Sequence, residues 1–244
     1  MGGPAAAPAR NHLGYLKDFI ERCGEHADFV SYHPYGERVD KIVRDITYFN
    51  DLFHAVTGTT GPRVMITESD HRIEPDEKFT YLMERQLALL DLQDAVIGFH
   101  HFSLPYFAEG GRLFGLIDTD GGIVPENYWP YWAFNDIRGE RLRVESDGGL
   151  LRGDLSVTAA ASPSGEVHSV VVAGTGRARR TADLAVTALP ADGRVRIATV
   201  YEVSAAGARL VRTDRIDGNA ATYETTLTVP GSGAAVQQDA HDGS

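Results

Sequence analysis

Glu68 closes the apolar run Val64-Met65-Ile66-Thr67, where an extended segment gives way to a polar loop that includes Asp70. Two other short apolar runs end in groups of related chemical character. Residues 28–32 lead to His33 and, two positions on, Tyr35; residues 95–99 lead to His100, His101 and Phe102. A carboxylate among imidazoles and aromatic rings suits carbohydrate chemistry. Ring faces cover the C–H surfaces of a sugar, imidazoles bond its hydroxyls, and the carboxylate attacks or stabilises an oxocarbenium-like carbon. Adjacent strand residues point to opposite faces, so one of His100 and His101 packs while the other serves the site. The position of His101 beside Phe102 favours His101. The plainer alternatives are a loop or helix-capping carboxylate for Glu68, and structural hydrogen bonding for His33 and Tyr35.

These groups need a scaffold that brings strand ends together. Leu13, Leu16, Phe19, Ile20 and Cys23 recur at steps of three and four, which predicts a helix. Val39, Ile42, Val43, Ile46, Phe49, Leu52, Phe53 and Val56 predict a second, stopped by Gly58 and Gly61-Pro62. Phe79, Leu82, Met83, Leu87 and Leu90 predict a third, and an aromatic segment at 128–137 a fourth. Extended runs precede or separate these helices, and Gly2-Gly3-Pro4 reads as the last residues of a further strand. Strands alternating with helices imply a parallel sheet with right-handed crossovers. A complete eight-fold barrel takes ~250 residues. The alternating segment is roughly half of that and supplies about four βα units, so the expectation is a partial (β/α)8 (TIM) barrel over residues 1–145. A free-standing doubly wound domain is the alternative.

Beyond residue 145 the pattern becomes β-rich. Val195, Ile197, Thr199, Tyr201 and Val203 alternate as a half-buried antiparallel strand requires, and turn signals such as Pro190-Ala191-Asp192-Gly193 separate the runs. The fold class is therefore α/β followed by all-β, with a C-terminal β-sandwich over residues 146–232. The small, polar segment 233–244 reads as a disordered tail.

Composition removes several classes of function. Among 244 residues, 34 are acidic and 23 basic, a net charge of −11. No basic footprint for nucleic acid or anionic membrane is present. The single cysteine, Cys23, excludes an internal disulfide and a cysteine-rich zinc site. A metal site built on His33, His71 and a strand histidine would need a ligand spacing that the sequence lacks, so no metal and no cofactor is expected. The run 118–122, rich in Asp and Gly, lacks a full calcium ligand series and reads as a turn. Trp129 and Trp132 are expected in a core or interface. No run is apolar enough to span a bilayer and no signal peptide is visible, which leaves the localisation open.

Four motifs occur in order: Gly2-Gly3-Pro4-Ala5, Asp28-Phe29-Val30-Ser31-Tyr32-His33-Pro34-Tyr35, Ile66-Thr67-Glu68 and Gly98-Phe99-His100-His101-Phe102. Their order and spacing resemble the last four strands of clan A retaining glycoside hydrolases, closest to the β-xylosidase and α-L-iduronidase family. The resemblance implies that Glu68, in a Thr-Glu ending the seventh barrel strand, is the nucleophile. It implies that His33 and Tyr35 line the sugar site from the sixth strand. The β-rich half is similar to the accessory β-domain of such enzymes. Where the eighth strand commonly brings a tryptophan to the sugar, this chain has Phe102 with His101 beside it.

A second departure concerns the acid. The family's general acid/base is a glutamate preceded by asparagine at the end of the fourth strand, and this sequence contains no Asn-Glu dipeptide. Retaining hydrolysis uses two carboxyl groups about 5–5.5 Å apart, and general acid–base help is typically worth about 10²–10⁴-fold. The expectation is a glycosidase acting with retention on an O-glycosidic bond, a xyloside-type substrate being favoured. The chain would be a truncated part of a longer enzyme, with little activity alone. The alternative is a non-catalytic carbohydrate-binding or scaffold fragment that needs a partner. The open edges of a four-unit sheet invite self-association.

Overall fold

The computed structural model describes residues 2–6, 12–69, 75–100, 107–109, 112–135, 137, 139–145, 155–162, 168–174, 178–231 and 233–241. The chain divides into two compact units, one of residues 1–73 and 88–124, the other of residues 74–87 and 125–244.

The first unit is built on four parallel strands in the order β1 (Gly2–Ala6), β2 (Phe29–Tyr32), β3 (Val64–Ile66) and β4 (Val96–Phe99). Helix α1 (His12–Cys23), followed by a single 3-10 turn at Gly24–His26, connects β1 to β2. Helix α2 (Val39–Thr57) connects β2 to β3, and α3 (Pro75–Leu90) connects β3 to β4. Helices fall where the three-and-four spacing requires them, and α2 ends where expected. Gly58 takes the left-handed φ of 67° and its N–H closes onto the His54 carbonyl, a conformation that costs a side-chain-bearing residue energy. Gly2–Ala6 is a five-residue strand, where the sequence suggested only a strand remnant. A Cβ at Gly3 would crowd the Phe19 ring, which would have to shift.

Alternation along the strands explains the core. Val30 and Tyr32 of β2, Val64 and Ile66 of β3 and Val96 of β4 bury against Leu16 and Ile20 of α1 and Ile42, Ile46, Phe49 and Phe53 of α2. Each such side chain contributes about 1.5–3 kcal/mol on burial. The intervening residues Ser31 and Met65, paired in register, therefore face away from those helices. A polar contact pins α2 as well: Tyr32 Oη donates to Asp45 at 2.8 Å, and Lys41 Nζ reaches the same carboxylate oxygen at 2.8 Å. Because the strands run parallel, their C-terminal ends share one edge of the sheet. Strands β5 (Phe107–Glu109) and β6 (Arg112–Phe114) form a separate antiparallel pair.

In the second unit come α4 (Pro125–Phe134), β7 (Glu140–Arg141), β8 (Leu155–Ala161), β9 (His168–Gly174), β10 (Arg180–Thr187), β11 (Arg196–Ser204), β12 (Gly207–Ile216), β13 (Thr222–Val229) and β14 (Gly233–His241). One antiparallel sheet has the order β12-β11-β14-β9-β8-β7; a second consists of β10 and β13. Side chains of both sheets share one apolar cluster that includes Val170, Val172, Val200, Leu227 and Val229, with Leu184 and Val186 packed on it. Trp129 and Trp132 of α4 pack with Phe79 and Met83 of α3 and with Tyr201, in a core as expected.

Two expectations about domain organisation need correction. Residues 233–241 are not a disordered tail: they form β14, paired along its whole length with β11 and over Gly233–Asp239 with β9. Small and polar side chains do not prevent a strand whose backbone groups are taken up on both sides. The compact units also do not separate at residue 145, since α4 and residues 74–87 group with the β-sheets.

Candidate functional site

Two strand ends build the site. β2 ends at Tyr32, and the next residues fold back tightly: the Tyr35 N–H donates to the His33 carbonyl at 2.9 Å, a three-residue turn around Pro34. The fixed φ of proline suits the centre of such a turn. It aims the His33 and Tyr35 side chains at the same place, with their rings edge-on at a centroid distance of 6.1 Å. β3 ends at Ile66, and Thr67 and Glu68 project from its end.

The carboxylate of Glu68 receives both. Tyr35 Oη donates to Glu68 Oε2 at 2.6 Å. His33 Nδ1 lies 3.5 Å from the same oxygen. Oε1 makes no hydrogen bond among the described residues, and the side chain is 41% exposed, so one carboxylate oxygen is held while the other has no such partner. His33 is buried, 8% exposed. Its other ring nitrogen, Nε2, is 2.7 Å from Thr67 Oγ1, and Thr67 Oγ1 in turn shares a hydrogen bond with Ser31 Oγ. Burial holds the His33 imidazole below its ordinary pKa, and the neighbouring Glu68 charge, which acts in the opposite sense, only partly offsets this. The imidazole beside Glu68 is thus neutral at neutral pH.

The structure brings together three of the five expected site residues: Glu68, His33 and Tyr35. His101 and Phe102 lie outside the described residues, as do Asp70 and His71. His100 takes part instead at the backbone level: its N–H donates to Ile66 O at 2.9 Å, and its carbonyl accepts from the buried Ser69 hydroxyl at 3.1 Å. A register shift between β3 and β4, Val64 pairing with Val96 but Met65 with Gly98, inserts one residue at Ile97. Phe99 accordingly packs on the helix side. Alternation then places His100 on the opposite face, with Met65, which sequence parity alone does not reveal.

Ser31 and Thr67 went unread in the sequence as members of the network. The available signal was spacing: Ser31 stands two residues before His33 on one strand face, and Thr67 directly precedes the carboxylate. No group of three or more metal-ligating side chains occurs among the described residues. The 118–122 loop is the expected turn, in which Asp118 Oδ1 accepts from the N–H groups of Asp120 at 3.0 Å and Gly122 at 2.7 Å.

The family model described as glycosyl hydrolase catalytic core matches residues 1–129. No curated protein matches the chain. Among solved structures, a glucosidase from Croceicoccus marinus shares 13% identity at a TM-score of 0.72, covering 99% of this chain and 60% of its own. An α-L-arabinofuranosidase from Thermotoga maritima shares 16% identity at a TM-score of 0.66, covering 96% of this chain and 56% of its own. A β-porphyranase of glycoside hydrolase family 86 from Bacteroides plebeius shares 15% identity at a TM-score of 0.62, covering 100% of this chain and 48% of its own. At these identities the likeness is one of fold. The chain spans 60% or less of the length of each of these three structures.

Proposed function

The chain belongs to the glycosyl hydrolase catalytic core family, and on that premise we propose that it carries the nucleophile side of a retaining O-glycosidase site, with Glu68 as nucleophile. One observation carries the reading: Glu68 has one oxygen held by Tyr35 beside a neutral His33, and the other makes no hydrogen bond among the described residues. In the proposed first step the oxygen not held by Tyr35 attacks the anomeric carbon. The C1–O bond breaks, its electron pair leaves with the departing oxygen, and a glycosyl ester forms on Glu68. The four parallel strands serve as part of a (β/α)8 barrel, and the β-sheets of the second unit as its accessory sandwich.

Protonating an ordinary leaving oxygen needs a second carboxyl group. The network of Ser31, His33, Tyr35, Thr67 and Glu68 contains none besides Glu68 itself, and the sequence contains no Asn-Glu. The acid/base is, in this proposal, supplied from outside this sequence, the chain being the later part of a longer catalytic unit. Xyloside-type glycosides are the favoured substrates. An arabinofuranoside is the second choice, because several similar folds are named for that activity. Self-association through the edge strands β1 and β4 belongs to the same reading, and light scattering tests it.

A leaving group that needs no proton isolates the nucleophile. Incubation with a 2,4-dinitrophenyl 2-deoxy-2-fluoro-xyloside, and with its arabinofuranosyl counterpart, should place one glycosyl adduct on the peptide containing Glu68, read by mass. Glu68→Gln should show none. No adduct from either reagent overturns the nucleophile assignment. That no second carboxyl joins the network among the described residues also favours a non-catalytic sugar-binding reading; saturable binding by calorimetry without an adduct would select it.

A further inference from the structure

We infer that Thr67, oriented by Ser31, is a positioning residue that fixes His33 in the tautomer with its proton on Nδ1, so that an N–H dipole and not a lone pair faces Glu68. The argument is a count of protons. Ser31 and Thr67 have one hydroxyl proton each, and a neutral imidazole has one N–H. The contacts to be satisfied are Ser31 Oγ with Thr67 Oγ1, Thr67 Oγ1 with His33 Nε2 at 2.7 Å, and His33 Nδ1 with Glu68 Oε2 at 3.5 Å.

Two arrangements can be written. In the first, Ser31 donates to Thr67, Thr67 donates to Nε2, and the ring proton sits on Nδ1 facing the carboxylate. Both hydroxyl protons then have acceptors, and the Nδ1–H dipole faces the carboxylate from 3.5 Å. In the second, Nε2–H donates to Thr67 and the Thr67 proton turns to Ser31. The Ser31 proton (or, if Ser31 also donates to Thr67, the Thr67 proton) is then left without an acceptor among the described residues, although Ser31 is 3% exposed, and the Nδ1 lone pair faces a carboxylate oxygen. A buried unmade donor and a lone pair against an anion both oppose the second arrangement. The first is the one the geometry selects.

Its consequence deepens the proposed function and rests on it. A neutral Nδ1–H imidazole steadies the ionised carboxylate through a dipole, without the full counter-charge that would blunt its nucleophilicity. Thr67 exerts this through His33 and has no need to touch substrate.

Long-range ¹H–¹⁵N correlation on protein labelled in its nine histidines tests this, with His33 assigned by its loss in His33→Asn. At neutral pH the native chain should show a pyrrole-type Nδ1 and a pyridine-type Nε2. A proton on Nε2 overturns the inference, with no variant needed. Thr67→Val should abolish the single-tautomer pattern and lower the rate of adduct formation at Glu68 about tenfold, the equivalent of one modest hydrogen bond. Thr67→Ser should restore both. An unchanged Nδ1–H pattern in folded Thr67→Val, or in Thr67→Ala if the valine variant does not fold, overturns the positioning role. The spectrum needs no substrate, so it stands or falls separately from the glycosidase reading: the tautomer without an adduct sinks only the latter.

Discussion

Tyr35 and Glu68 stand 33 residues apart in sequence and meet at 2.6 Å, the phenol donating to one carboxylate oxygen. The contact divides the carboxylate into a tethered oxygen and one without a hydrogen bond among the described residues. It restrains the side chain's rotation, because Oε2 must stay within reach of the Tyr35 hydroxyl. For a nucleophile that restraint is useful.

Tyr35→Phe removes that tether while keeping the ring. A hydrogen bond to a charged group is worth about 1.5–3 kcal/mol, so the rate of adduct formation at Glu68 should fall roughly tenfold to a hundredfold. The thermal midpoint should move little, since Glu68 is partly exposed. An unchanged labelling rate would show that the tether contributes nothing to the chemistry.

The pH dependence of stability should carry a His33 contribution. Its folded pKa lies below the ordinary 6.5, because burial disfavours the charged ring more than Glu68 favours it. The unfolded chain therefore binds more protons over the window between the lowered value and 6.5. Stability from this group is complete above the unfolded pKa and is lost as pH falls through that window. Urea unfolding at a series of pH values should show a steeper acid-side decline for the native chain than for His33→Asn; parallel curves would contradict this.

Phe49 is fully buried between α2 and the sheet, packed edge-on against Tyr32 with centroids 6.0 Å apart. Phe49→Ala should cost about 3–5 kcal/mol, the sum of lost burial and an unfilled cavity. Chemical denaturation with a first-unit probe measures it. A cost below about 1 kcal/mol would mean that this core is not packed as described.

Ending the chain before Gly233 removes β14 and strips β9 and β11 of a shared neighbour. Two buried strand edges would then lack hydrogen-bond partners. Loss of the second unit's cooperative unfolding and a larger insoluble fraction are expected, read by circular dichroism and size-exclusion chromatography. A soluble, cooperatively folding truncation would show β14 to be dispensable.

The sequence by itself determined what is local. The helix spacing located α1, α2 and α3, the glycine after Thr57 marked the end of α2, and strand-end chemistry singled out His33, Tyr35 and Glu68. Such signals are legible because a helical face and a strand end depend only on neighbours within a few residues. The tertiary structure alone decided which groups meet. Ser31 and Thr67 join the site through the β2–β3 register, which is set by Val30, Tyr32, Val64 and Ile66 burying together against α1 and α2. The inserted residue at Ile97 sets the face that Phe99 takes, which alternation counted from Val96 would not give. β14 exists because two distant strands take up its backbone groups, a long-range gain that its own small, polar composition does not announce. Glu68 was visible as a carboxylate at the end of a strand; that one of its oxygens is held by Tyr35 depends on the fold.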